Sequence, residues 1–123
     1  MSFITDRKRV DGLGSAKDGT EHAWRMKLSS IGLTILVPLF IFTFGAAYGG
    51  SYEDVLTYYS SPFPALVAAL TLTVGWLHFK DGVQVLIEDY THGLTRTGLI
   101  VAMTCLSYAM VAASLYAIVR LAL

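Results

Sequence analysis

The residues able to do chemistry gather in one stretch of this chain, HFKDGVQVLIEDY, from His78 to Tyr90. On a helix advancing about 100° per residue, His78, Gly82, Val85 and Asp89 fall within about 40° of one another. Asp89 then lies about 16 Å further along the axis than His78. Such a face offers an imidazole, a glycine gap with room for something flat and bulky, and a carboxylate near the helix end. Tyr90 adds a phenol that can donate a hydrogen bond to a carbonyl oxygen, with Asp89 beside it to orient it or handle a proton. That pair suits a quinone head group, and it equally suits a membrane-belt tyrosine beside a helix-end acid. For His78 three readings stand open: a packing histidine bonded to a neighbouring helix, an axial ligand of haem iron, or a proton relay. Haem b held by two imidazoles needs them on facing helices. His22 and His92 lie outside the apolar runs, so the second ligand would come from a partner chain. Lys80 and Asp81 sit on another side of the same helix, where Glu88 extends their stripe, which predicts polar contacts on two sides.

These residues need helices to position them, and the composition says which kind. Of 123 residues 54% are hydrophobic and 15% charged. The apolar residues fall into runs long enough to cross a hydrocarbon core, which takes roughly 20 residues of helix. The expected architecture is an all-α integral membrane protein with three transmembrane helices at about 28–48, 63–90 and 97–121. Residues 1–27 read as a polar, mostly extended segment with an amphipathic end, and residues 28–123 as the transmembrane domain. Pro38 should bend the first helix. The polar stretch before that helix is too long for a cleavable signal, so the helix is expected to be retained.

Six Lys or Arg side chains precede the first helix, none lies in the link SYEDVLTYYSSP, and Arg96 lies in the second link. The positive-inside rule then puts the N-terminus in the cytoplasm. Tyr48, Tyr52, Tyr58 and Tyr59 resemble an interfacial aromatic belt. His22, Trp24, Arg25, Lys27 and Ser29 lead into the membrane, with Lys27 or Arg25 able to meet lipid phosphates or the propionates of a haem seated just inside. Gly75 and Gly82 allow close approach to the second helix, and Ala109, Ala112 and Ala113 give the third a small-residue face. A formal net charge of zero and the lack of basic blocks exclude a nucleic-acid partner. The single Cys105 excludes an internal disulfide and thiolate clusters within the chain.

His78, Gly82 and Asp89-Tyr90 at these separations, with Gln84 and Val85 between, resemble the signature of the hydrophobic membrane anchor subunit of succinate dehydrogenase, respiratory complex II. The stretch GLGSAKDGTEHAWRMKLSSIGL resembles the same subunit from the alphaproteobacterial and mitochondrial-like branch. The resemblance covers about residues 12–92, and the third helix only by length and position. It implies an inner-membrane, multi-pass chain packed in lipid against a larger cytochrome b anchor subunit. The complex would also hold an iron–sulfur subunit and a flavoprotein, with FAD and iron–sulfur clusters only in those partners. It implies His78 as one axial ligand of a shared haem b, Tyr90 as a hydrogen-bond donor to ubiquinone, and Asp89 as support for that site. Where relatives often have Arg-x-Thr, this chain has Lys27-x-Ser29, which removes a bidentate propionate contact and leaves Lys27 as a single-point candidate. The chain would oxidise no succinate itself. The rival expectations are the anchor of a fumarate reductase, a haem-free structural scaffold, and a transporter subunit using His78 and Asp89 as a proton path.

Overall fold

The structure is a computed structural model and describes residues 3, 5–11 and 18–123. Among the described residues the chain is helical, with no strand. A short helix α1 (Asp6–Asp11) is followed by α2 (Asp18–Ala47), α3 (Tyr52–Tyr59), α4 (Pro62–Tyr90) and α5 (Gly93–Ala122). Three of these, α2, α4 and α5, are long and apolar enough to cross a membrane, with mean hydropathies of 2.0, 1.4 and 1.9.

The expected extended segment is helical on both sides of the undescribed residues 12–17. The helix α2 begins at Asp18 and carries the polar stretch DGTEHAWRMK before its apolar run. Asp18 and Glu21 lie in its opening turns, where carboxylates favour a helix N-terminus, and Ala23, Met26 and Lys27 are good helix formers. Polar residues of high helix propensity thus extend a helix beyond the part the bilayer demands. Further along, α2 continues through Pro38.

The first link folds in part as a helix, and the second is shorter than expected. Gly49, at φ +86°, turns the chain after α2, and the N–H of Gly50 donates to the Ala47 carbonyl. The link from Ser51 then folds as α3, held by a capping box. The Asp54 N–H donates to the Ser51 hydroxyl oxygen, while Asp54 Oδ2 accepts from the Ser51 N–H at 3.0 Å and its hydroxyl at 2.7 Å. Those Ser51 contacts stabilise the charged carboxylate and lower the Asp54 pKa. Tyr59, read from sequence as a belt residue, is instead buried at the base of α3, edge-on to Tyr58. Burial raises its phenol pKa, with a smaller contribution from Tyr58. Tyr48 and Tyr52 remain exposed. Only Thr91 and His92 separate α4 from α5, and Gly93 at φ +62° makes the reversal, a conformation side-chain-bearing residues seldom adopt.

The helix α4 is the central element, packing on α2 along one side and α5 along the other. In its most apolar stretch 28% of residues are buried, against 6% in α2 and in α5. The small core is Ala65, Val67, Ala68 and Ile87 of α4 with Tyr59. Buried hydroxyls satisfy themselves locally: Thr43, Thr71 and Ser107 each donate to the carbonyl four residues earlier. Such bonding suits a medium without water to take the donor. The outward faces carry Ile31, Ile35, Phe42, Leu66, Leu70 and Val101, all well exposed. A surface this apolar requires lipid or protein around it.

Candidate functional site

Antiparallel packing of α2 on α4 brings the chemistry together. Advancing along α2 from 25 to 36 runs back along α4 from 82 to 71, giving a seam of paired positions. Arg25 approaches Asp81, the Met26 side chain lies over Gly82, and Ser29 meets His78. Gly32 then faces Val74, and the Leu36 carbonyl accepts a long 3.4 Å bond from Thr71.

Within that seam His78 Nδ1 and Ser29 Oγ are 2.8 Å apart. Ser29 Oγ is also 3.0 Å from the Met26 carbonyl, one turn back on its own helix. The hydroxyl therefore joins the imidazole to the backbone of α2. The ring is half-buried, and among the described residues Nδ1 is its only hydrogen-bonded nitrogen. This is the helix-to-helix bond expected of a packing histidine, and it leaves Nε2 uncommitted among the described residues. The room anticipated at Gly82 is real but shared, since a Cβ there would touch the Met26 methyl at an ordinary 3.8 Å.

Towards α5, Asp81 is buried at 5% exposure. Its Oδ1 is 2.9 Å from Lys80 Nζ and 4.0 Å from an Arg25 nitrogen. The Lys80 contact is an ion pair without hydrogen-bond alignment, as befits side chains of adjacent residues. Lys80 Nζ also lies 5.8 Å from the centre of the Tyr108 ring of α5, within reach of a cation–π attraction. Lys80 thus finds partners inside its own chain. These residues end a groove of about 580 Å³ between α2 and α5, whose apolar part includes Leu28, Ile31, Val74 and Leu77. His78, Asp89 and Tyr90 do not line it.

Asp89 and Tyr90 lie exposed at the C-terminal end of α4, Tyr90 at 80%. Neighbouring Glu88 is engaged instead, accepting from Gln84 at 3.0 Å and facing Arg96 of α5 at 3.8 Å. His78 and Tyr90 are separated by about 18 Å along α4 and about 120° around it. The chain alone therefore does not converge them on one cavity. Lys27 is exposed and lies about 160° around α2 from Ser29, so it faces away from His78. Arg25, not Lys27, is the α2 cation turned towards α4.

From sequence, Arg25 stood as a contact for lipid phosphate or a haem propionate and Ser29 as part of the polar lead into the membrane; their contacts with Asp81 and His78 were missed. The signal was the antiparallel register, which pairs 29 with 78 and 25 with 81 once the helix directions are set. Among the described residues no group of three His, Cys, Asp or Glu side chains is placed to hold a metal ion. Any metal held through His78 would need a ligand set completed from outside this group.

Comparison with known proteins gives two matches over nearly the whole length. A family model described as the succinate dehydrogenase/fumarate reductase transmembrane subunit matches residues 1–120. The succinate dehydrogenase hydrophobic membrane anchor subunit of Paracoccus denitrificans is 44% identical over 123 residues, covering 100% of this chain and 95% of that protein. No solved structure matches.

Proposed function

The chain belongs to the succinate dehydrogenase/fumarate reductase transmembrane subunit family, and from that premise we propose that it anchors a succinate:ubiquinone oxidoreductase and contributes to its haem and quinone sites. In this reading the N-terminus is cytoplasmic and the chain lies in the inner membrane. It packs against a larger cytochrome b anchor subunit, beside iron–sulfur and flavoprotein subunits. The observation that carries the reading is the free edge of a fixed imidazole. His78 is tied through Nδ1 to α2, and its Nε2 has no hydrogen-bond partner among the described residues.

The donor set fits a shared haem b, since one neutral imidazole is what a single helix contributes when the other axial ligand comes from a facing chain. When bound, a haem of this type would supply one-electron storage. The chain's own tasks are to hold His78 at a fixed angle, to cover the seam beside Gly82 with Met26, and to present Tyr90. The Tyr90 hydroxyl is exposed at the end of α4, free to donate to a quinone carbonyl from a neighbouring subunit's pocket. Asp89, also exposed, is placed to orient that hydroxyl or exchange a proton with water. The rest of the site belongs to partners, which accounts for the distance between His78 and Tyr90. The composition of the complex purified through a tag on this chain tests the proposal. A reduced-minus-oxidised b-type spectrum and succinate-oxidising polypeptides are expected. Recovery of those polypeptides without haem would favour the structural scaffold instead.

A further inference from the structure

We propose that Ser29 is a positioning residue for His78, fixing by one hydrogen bond both the angle of the imidazole and the nitrogen that carries its proton. The inference rests on the reading of His78 as an axial ligand and adds to it a residue on a different helix.

Ser29 Oγ has one hydrogen and two short contacts, 3.0 Å to the Met26 carbonyl and 2.8 Å to His78 Nδ1. A carbonyl can only accept, so that contact takes the hydroxyl hydrogen. The hydroxyl oxygen then accepts from Nδ1–H, and both contacts contain a hydrogen. In a neutral imidazole a protonated Nδ1 leaves the lone pair on Nε2, the nitrogen without a partner among the described residues. Ser29 thus selects the tautomer that ligation by Nε2 requires. Its own hydroxyl is held by the backbone one turn back, so the bond has little freedom to swing. A hydrogen bond of this kind also increases the electron donation of the opposite nitrogen, which favours the oxidised metal.

Serine is the smallest side chain that can do this. On either side of this point a Cβ added at Gly82 or Gly32 would make only ordinary contact across the seam, at 3.8 and 4.0 Å. Threonine keeps the hydroxyl and adds a methyl, whereas valine has threonine's shape without the hydroxyl. The two variants separate hydrogen bonding from packing.

The experiment uses the intact, haem-loaded complex with Ser29→Thr, Ser29→Val, Ser29→Ala and His78→Ala variants of this chain. Haem potential is read by redox titration, and the ligand field by electron paramagnetic resonance of the oxidised complex. Ser29→Thr should match the parent. Ser29→Val and Ser29→Ala should raise the potential, with the oxidised-over-reduced preference falling by the order of tenfold, about 59 mV for one electron, and should change the resonance positions. Valine matching threonine in both readouts would overturn the role of Ser29. So would alanine matching the parent, should the valine complex fail to assemble. His78→Ala separates the two levels: a change there with none in the Ser29 series removes only Ser29, while no change there removes the ligand reading beneath it.

Discussion

Replacing Asp81 by Asn keeps the side chain's shape and removes its charge, leaving the Lys80 ammonium, with a side chain only 13% exposed, beside a neutral amide. At 2.9 Å and an effective dielectric of about 20, the lost attraction is about 6 kcal/mol before solvation is counted. Arg25 adds little, because it is 4.0 Å away and its side chain is 53% exposed, in the range where ion pairs contribute about 0–1 kcal/mol. Breaking a buried pair on one side costs about 3–5 kcal/mol. The lower end is expected here, because Lys80 lacks a well-aimed hydrogen bond to lose and can extend towards the headgroups. The companion Lys80→Met, Asp81→Leu double substitution should return to within about 1 kcal/mol of the parent, or exceed it, since the desolvation of both charges disappears together. The assay is titration of the assembled complex in mild detergent with a denaturing detergent, following release of this chain. A single variant as stable as the parent would refute the buried-pair argument. So would a double variant as unstable as the single.

Tyr90→Phe keeps the ring and removes only the hydroxyl, so assembly should survive while succinate-to-ubiquinone transfer weakens by about 2–4 kcal/mol. Succinate oxidation measured with an artificial acceptor that bypasses the membrane should stay near the parent's. The capping carboxylate of α3 predicts a pH response: its lowered pKa makes the stabilisation fully present above the ordinary value of 3.8 and lost as the pH falls through the lower folded value. Protection of the α3 amides, taken relative to intrinsic exchange at each pH, should therefore hold steady down to about pH 4 and fall below it, with Ser51→Ala removing that dependence. A tag on the C-terminus should be protected from protease applied on the cytoplasmic side of sealed membranes. Rapid cleavage there would reverse the topology.

Sequence made the three spans legible because their length and apolarity are set by the bilayer, whatever the helices touch. It placed the α4 boundaries well for the same reason, with Pro62 and Pro64 marking the start. The extension of α2 back to Asp18 was not legible in the same way, because residues 18–27 are helical without a long apolar run. The link helix α3 was legible in principle, since Ser51 followed by Asp54 is a capping-box spacing, but its aromatic content drew the reading towards a belt. The candidate site divides in the same manner. His78 stood out because an imidazole in an apolar run demands a partner. Its partner did not, because Ser29 is distant in sequence and serines on membrane helices ordinarily bond to their own backbone. Asp81 read only as part of a second polar stripe, because the Arg25 beside it arrives from another helix.

The most direct test of the central claim is to compare membranes with and without this chain, measuring succinate oxidation by an artificial acceptor and by ubiquinone. Without the chain, artificial-acceptor activity should move from the membrane to the soluble fraction and ubiquinone reduction should vanish. Both should return when the parent chain is supplied. Membranes that keep succinate-to-ubiquinone activity in its absence would contradict the account.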